Sequence, residues 1–218
     1  MESGNATVWS VIRALLVDLD GVLRIWPPDH GAQIERDHGL PAGTIAAAAF
    51  AAELLEPALT GVISDKVWRE RVARKIAEQH GPQAAGAVDA WSSFRGVVDQ
   101  TVLSLVREVR DLMPVVLLTN QTSRLRSDLD MLGLADAFDA IANSADIGVA
   151  KPAHEAFEAA SRLARVGLTE CAFIDDGVGN VDMARQLGMT AIQHVSAADD
   201  RRALVACGVA LTPRAKLI

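Results

Sequence analysis

The chain has 218 residues, half of them hydrophobic, which is enough apolar material for one large core or for a core with a smaller appended unit. Its 28 acidic and 21 basic residues give a net charge of −7, which argues against a nucleic-acid-binding surface but leaves an anionic small-molecule substrate open. The two cysteines have no metal or redox spacing, the first ten residues lack a secretory signal, and no apolar stretch approaches the roughly 20 residues of a membrane span. We therefore expect a reduced, cytoplasmic protein with no membrane partner.

In chain order, the first predicted element is a buried strand at residues 14–17, with the sequence ALLV. Residues 26–98 then carry a helical pattern and no strand pattern. Three helices are predicted there, over residues 44–55, 64–81 and 83–94. Thr44 and Ser64 are the expected N-caps of the first two helices, and Gly81 is expected to end the second.

The rest of the chain, residues 99–218, alternates between strand and helix patterns. Strands are predicted at 115–119, 138–142, 171–175 and 190–194, and helices at 99–111, 123–132, 153–165 and 179–187, with a last helix capped by Ser196. This alternation indicates a parallel sheet with helices on both faces. We therefore predict an α/β fold, in which a Rossmann-like core of residues 1–25 and 99–218 carries an inserted α-helical cap of residues 26–98.

Polar residues follow three of the predicted strands, at the point where each strand ends. Asp18 follows the first strand, Thr119 and Asn120 close the second, and Asp175 and Asp176 close the strand CAFID. Ligands of open parallel sheets bind outside the carboxyl ends of the strands, so these residues are expected at one edge of the sheet.

This edge gathers four carboxylates, which belong to Asp18, Asp20, Asp175 and Asp176. Because like charges at short range repel one another, we expect a bound divalent cation to offset the repulsion among these carboxylates. Oxygen donors without histidine or cysteine suit Mg²⁺. Lys151, in the sequence GVAKP, is expected at the start of a helix, a position suited to an anion. A cation, a lysine and a spare carboxylate predict a phosphoryl-transfer site, since the two cations would screen a phosphate from an attacking carboxylate.

Four segments of the chain resemble the motifs of the haloacid dehalogenase (HAD) superfamily, in their order within that family. They are DLDGVL at 18–23, Thr119 in LLTN, Lys151 in SADIGVAKP, and FIDDGVGNVDMARQLGM at 173–189. The room after the first motif fits the helical-cap (C1) subfamily, and the chain is similar there to small sugar-phosphate phosphatases. The resemblance implies a phosphomonoesterase that acts on a small phosphorylated metabolite through an aspartyl-phosphate intermediate.

The resemblance also implies a role for each acid of the edge. Asp18 would be the nucleophile, and Asp20 would protonate the leaving alkoxide and then activate the hydrolytic water. Mg²⁺ would be held by the side chains of Asp18 and Asp176, by the main-chain oxygen of Asp20, and by Asp175 directly or through a water.

Three further residues would handle the phosphate, as the resemblance implies. Thr119 would hydrogen-bond the phosphoryl group, and Lys151 would bridge Asp18 and the phosphate. Asn120 would contact the phosphate or the rest of the substrate.

The cap carries no motif that identifies the substrate. Trp26, Trp68, Trp91 and Phe94 could line a substrate pocket, but they are expected to be packing residues, with Trp26 the best candidate for a substrate contact. Arg24 and Arg95 could reach an anionic substrate, but a place at the surface is expected, and nothing in the sequence indicates an oligomeric state. Three alternatives to a phosphatase stay open: a phosphomutase of the same fold, a 2-haloacid dehalogenase, which would not need Asp20 or the pair at 175–176, and a catalytically silent binding module.

Overall fold

A computed structural model describes residues 11–211 of the chain. Its seven strands are β1 (Ala14–Val17), β2 (Arg24–Ile25), β3 (Val97–Val98), β4 (Val115–Thr119), β5 (Ala140–Asn143), β6 (Cys171–Asp175) and β7 (Thr190–Gln193). Five of them form one parallel sheet in the order β5–β4–β1–β6–β7. β1 lies in the middle with all four residues fully buried, as a continuous apolar strand in a doubly covered sheet should.

Eleven α-helices accompany these strands in the described part of the chain. They are α1 (His30–Asp37), α2 (Thr44–Ala49), α3 (Ala52–Leu59), α4 (Asp65–His80), α5 (Gly86–Ser93), α6 (Gln100–Arg110), α7 (Leu125–Met131), α8 (Ser144–Ile147), α9 (His154–Ala164), α10 (Val178–Gln186) and α11 (Ala197–Ala206). Within residues 11–211, no helix combines the length and the apolar composition that crossing a membrane would require. The expectations for the first ten residues lie outside the described part.

Helices cover both faces of the sheet, because side chains alternate between the faces along each strand. Leu15 and Val17 of β1 belong to a hydrophobic cluster with α6, α7 and α11, whereas Ala14 and Leu16 belong to a second cluster with α9 and α10. On the second face, the ring of Phe157 packs edge-on against that of Phe173, with 5.3 Å between the ring centres. The predicted α/β fold is confirmed.

The five helices α1–α5 build a hydrophobic cluster of their own, which includes Trp68, Val72 and Ile76 of α4. A separate cluster is what the division into core and cap predicts, and the boundaries at residues 25/26 and 98/99 stay a prediction. Helix α4 is placed as expected: the Ser64 hydroxyl accepts from the Val67 N–H, and Gly81, with φ of 94°, ends the helix.

The single helix predicted over residues 44–55 is wrong, because the chain breaks it at residues 50–51 into α2 and α3. Thr44 is the first residue of α2 and not its cap. The carboxylate of Glu35, buried in the cap, accepts from the N–H groups of Gly43 and Ile45 at 2.8 Å each. A side chain from the preceding helix thus satisfies amide donors at the start of α2, a role that a local cap residue usually has.

The absence of strands from residues 26–98 is also a wrong expectation, because β3 lies there. It pairs antiparallel with β2, with Arg24 opposite Val98 and Ile25 opposite Val97. This two-stranded ribbon carries the chain out of the sheet region after β1 and back again before α6.

Candidate active site

The carboxyl ends of β1, β4 and β6 meet at one edge of the sheet, because the three strands are parallel neighbours. A cavity of about 510 Å³ opens at this edge. Among the residues that line it are Asp18, Asp20, Thr119, Asn120, Lys151 and Asp176. Asp175 is fully buried beside them. The structure therefore brings together every site residue that the sequence suggested.

Three carboxylates converge in this cavity: one oxygen of Asp18, one of Asp175 and one of Asp176 lie within 4.8 Å of one another. Asp175 is fixed in place by the Gly177 N–H at 2.8 Å and by the side-chain amide of Asn180 at 3.0 and 3.1 Å. Such a set of convergent oxygen donors fits a hard divalent cation. The side chain of Asp20 is directed elsewhere and is not part of this cluster.

Lys151 joins two of the three carboxylates. Its Nζ lies 2.9 Å from Oδ1 of Asp18 and 2.6 Å from Oδ2 of Asp175, and the side chain is almost completely buried. Asn120 holds the backbone at this position, because its amide donates to the Lys151 carbonyl and accepts from the Lys151 N–H, both at 2.8 Å. The expected helix start at Lys151 is wrong, since α9 begins only at His154 and Lys151 lies in the turn before it, with a cis peptide bond to Pro152.

Burial and charge repulsion make this cluster an unfavourable place for three ionised acids. Burial raises the pKa of Asp18 to about 6, and the charge of Asp175 adds to the rise while Lys151 opposes it. Burial and the charge of Asp175 raise the pKa of Asp176 as well. A bound cation would favour the ionised form of each carboxyl, which agrees with the fit of the donor set.

Asp20 lies at the border between this cavity and the cap, where three side chains donate to its carboxylate. Arg24 donates from Nε at 2.5 Å and from Nη2 at 2.9 Å, Gln121 from Nε2 at 2.6 Å, and Trp26 from Nε1 at 2.8 Å. Arg24 is 1% exposed, so its expected place at the surface is wrong. Gln121 escaped the sequence analysis, although its position directly after Thr119 and Asn120 was a signal for it.

A second cavity, which we call the cap cavity, lies between α1–α5 and the edge of the sheet and has a volume of about 350 Å³. Its apolar lining includes Trp26, Phe50, Trp68, Trp91 and Phe94. Trp68 and Trp91 do pack against each other, with 6.0 Å between their ring centres, as the packing interpretation predicted. The same aromatic residues also form the cavity wall, so the sequence-based alternative that they line a pocket holds alongside the packing interpretation that was favoured over it.

Comparison with known proteins identifies the family. A model of the haloacid dehalogenase-like hydrolases matches residues 12–188. The chain belongs to this family. The HAD match begins before the first motif and ends at residue 188, so it includes the first three motifs, all but the last residue of the fourth, and helices α1–α5.

Relatives of this HAD chain include a D-ribitol-5-phosphate phosphatase from Bacteroides thetaiotaomicron, which is 30% identical over 122 residues, or 53% of this chain. The chain spans only 59% of the length of that relative. A HAD family enzyme from the same organism, crystallised with magnesium and inorganic phosphate, superposes with a TM-score of 0.69 at 23% identity over 84% of this chain and 94% of its own. L-2-haloacid dehalogenase from Xanthobacter autotrophicus superposes with a TM-score of 0.62 at 20% identity, over 92% of this chain and 85% of its own. At these identities the two structures show a shared fold.

Proposed function

We propose that this chain is a Mg²⁺-dependent phosphomonoesterase that acts on a small phosphorylated metabolite of the sugar-phosphate type. The observation that carries the proposal is the placement of Asp18 beside Lys151 and next to two further acids, with Asp20 across the same cavity. The D-ribitol-5-phosphate phosphatase supports the choice of substrate class. A cytoplasmic location stays a prediction from the sequence.

In the first half of the reaction, an oxygen of Asp18 forms a bond to phosphorus while the bond from phosphorus to the ester oxygen breaks. The departing oxygen takes the electron pair of that bond and a proton from the Asp20 carboxyl. Thr119 and Lys151 hold the phosphoryl group, and Lys151 neutralises charge between it and Asp18. Mg²⁺, held by Asp18, Asp175, Asp176 and the main-chain oxygen of Asp20, would supply further charge neutralisation.

In the second half, the Asp20 carboxylate takes a proton from a water molecule, whose oxygen bonds to phosphorus. The bond between Asp18 and phosphorus then breaks, so that phosphate leaves and both acids return to their starting state. The three donors around Asp20 hold its carboxyl at the mouth of the cap cavity, where a leaving group would lie. Asn120 supports the reaction by fixing the turn that carries Lys151, and its predicted contact with substrate stays a prediction.

The acids of this edge also distinguish the proposal from a 2-haloacid dehalogenase, one of the alternatives that the sequence leaves open. A 2-haloacid dehalogenase would need Asp18 but neither the proton donor Asp20 nor the convergent pair Asp175 and Asp176. Here all of these acids are present, and each is held by specific donors or lies in the carboxylate cluster.

Replacing the nucleophile tests the proposal. We expect Asp18→Asn to lower phosphate release from p-nitrophenyl phosphate with Mg²⁺ at least about a thousandfold, because the amide cannot attack phosphorus. Asp182→Asn, an exposed change on α10, is the matched control and should keep wild-type turnover. EDTA should abolish turnover and added Mg²⁺ should restore it. Turnover of Asp18→Asn within tenfold of the wild type contradicts the mechanism, and indifference to EDTA favours a dehalogenase.

A further inference from the structure

We propose that the cap cavity binds a second anionic group of the substrate, a carboxylate or a second phosphate, through Arg69 and Arg124. The inference rests on the proposed phosphatase function and narrows its substrate to esters whose leaving group carries a negative charge at some distance from the reacting phosphate. Four observations lead to it.

The first is that the cap cavity adjoins the cavity at the edge of the sheet. Asp20, Trp26, Asn120 and Gln121 line both. A phosphate ester that presents its phosphorus to Asp18 therefore extends past Asp20 into the cap cavity. The residues around that second cavity must accommodate the leaving group.

The second observation is that charged groups of both signs line the cap cavity. Three carboxylates, those of Asp20, Asp65 and Asp128, and three guanidinium groups, those of Arg24, Arg69 and Arg124, line it, while Arg95 pairs with Asp128 from outside the lining. Asp128 alone pairs with three of these four arginines, at distances of 3.0 to 3.3 Å. Because one carboxylate is shared by three arginines, the charge of Arg124 is not fully neutralised, and the aromatic walls of the cavity limit its screening by water.

The third observation is that Arg69 and Arg124 both contact Ser92, and that each guanidinium group keeps N–H donors that can bind a ligand. Arg69 binds Asp65 through Nε at 2.7 Å and reaches the Ser92 hydroxyl through Nη1 at 3.5 Å. Arg124 pairs with Asp128 through Nε and donates from Nη1 to the Ser92 carbonyl at 3.1 Å. Among residues 11–211, neither Nη2 has a protein partner, so both can donate to a ligand. Two guanidinium groups at one place suit a carboxylate or phosphate.

The fourth observation is that the guanidinium groups of Arg69, Arg95 and Arg124 lie near one another in a partly buried place. Burial lowers the pKa of the Arg124 guanidinium, and the charges of Arg95 and Arg69 act in the same direction against Asp65 and Asp128. An anion bound between Arg69 and Arg124 would offset this repulsion. The aromatic walls then cover the carbon skeleton of the ligand, and about 350 Å³ is room for five or six carbon atoms with their hydroxyl groups.

Three linear six-carbon esters that differ only at the far carbon provide the test: D-gluconate 6-phosphate, D-glucitol 1,6-bisphosphate and the neutral-ended D-glucitol 6-phosphate. We expect the wild-type kcat/KM to be at least about tenfold higher for one or both charged esters than for glucitol 6-phosphate. The ester with the larger preference shows whether the second anion is a carboxylate or a phosphate. Arg124→Gln should reduce that preference about tenfold, and Asp128 keeps Arg24 and Arg95 as partners in this variant.

Two exposed arginines nearby in the chain are matched controls: Arg126→Gln on α7, the helix that Arg124 precedes, and Arg71→Gln on α4, the helix that carries Arg69, should leave the preference unchanged. Arg69→Gln should act like Arg124→Gln, and Arg124→Gln decides the matter if the other variant fails to fold. Equal efficiency with all three esters overturns the inference, as does a loss of preference in Arg126→Gln that matches the loss in Arg124→Gln.

Calorimetry with the Asp18→Asn variant separates this inference from the proposed function. It measures binding of gluconate 6-phosphate, glucitol 1,6-bisphosphate and glucitol 6-phosphate without any turnover. At least about tenfold tighter binding of one or both charged esters, lost on adding Arg124→Gln, supports the anion site even if no ester is hydrolysed by the wild type. Equal binding of all three overturns it, whereas absence of phosphate release from every ester contradicts only the proposed phosphatase.

Discussion

Asp18 is a buried acid, and burial disfavours its ionised form. One of its charged neighbours also disfavours the ionised form, and the other stabilises it. Asp175 repels the ionised form, and Lys151, 2.9 Å from Oδ1, stabilises it. Burial outweighs the lysine, so the pKa of Asp18 stands at about 6 when no cation is bound. The Asp18 carboxylate therefore lowers the stability of the metal-free fold, as perturbed ionisable groups at functional sites often do.

A stability measurement in EDTA tests this directly. Because the pKa of Asp18 is near 3.8 in the unfolded chain and about 6 in the folded protein, the unfolded chain loses the proton first as the pH rises. Wild-type stability should therefore fall between pH 4 and 6 relative to that of Asp18→Asn. At pH 7.5, urea unfolding should show the variant more stable by up to about 3 kcal/mol. A variant no more stable than the wild type at pH 7.5, or a difference that is the same at pH 4, would refute the burial argument.

At the scale of elements, the start of α2 depends on a contact that is remote in sequence. Glu35 of α1 binds the N–H groups of Gly43 and Ile45, and its side chain is buried. We expect Glu35→Ala to lower the free energy of unfolding by about 2 kcal/mol, because it leaves two amide donors without a partner. Urea unfolding followed by tryptophan fluorescence measures it, since Trp68 and Trp91 lie in this helical unit. The exposed neighbour Asp37→Ala is the control, and an equal loss there would argue against the capping role.

Glu35 also shows which features of the helices and strands cannot be predicted from the sequence, namely those that depend on contacts remote in the chain. The pattern of β1 and the caps Ser64 and Gly81 are local signals, and the structure places those elements as predicted. The break between α2 and α3 depends on packing inside the cap, and a run of alanines gives no sign of it. The short strand β3 has two residues, too few for any periodicity to appear.

The candidate site divides in the same way. Asp18, Thr119 and Asp175 could be predicted to meet because they end neighbouring parallel strands, which is a property of topology. The partners of Asp20 could not be predicted, because Arg24 and Trp26 contact it only through the directions that their side chains take after the turn at Gly21. The cap cavity could be raised from the sequence only as one of two interpretations of Trp26, Trp68, Trp91 and Phe94, since its walls come from segments far apart in the chain.

At the scale of the whole molecule, the helical unit rests on the core at a few close contacts. One is between Gly61, just after α3, and α8: a Cβ on Gly61 would lie 2.1 Å from the carbonyl oxygen of Ala145. A second is polar, where Asp65 accepts from the Thr122 hydroxyl at 2.9 Å and donates its N–H to Ser123. Asp65 and Thr122 of the second contact also line the cap cavity.

Gly61→Ala should force the two units apart. We expect kcat/KM for a phosphate ester whose leaving group fills the cap cavity to fall about tenfold, since the cavity walls no longer meet. Gly39→Ala is the matched control, because φ is 65° there and 73° at Gly61, yet a Cβ on Gly39 meets nothing within 4 Å. Both variants should lose about 1 kcal/mol to backbone strain. Equal kinetics in the two variants would show that the contact with Ala145 does not govern the cavity.

The ribbon of β2 and β3 places the two crossings between core and helical unit side by side, with Ile25 opposite Val97. Closing a disordered loop as long as residues 26–96 would cost roughly 4 kcal/mol in chain entropy, more than a ribbon of two residues per strand supplies. The folded helices remove this cost, because packing of the helices against one another already brings the two ends of the insert close together. The chain enters and leaves the insert through this one ribbon, so the insert can be lengthened, shortened or replaced without changing the end of β1, the end of β6 or the turn before α9, where Asp18, Asp175 and Lys151 lie.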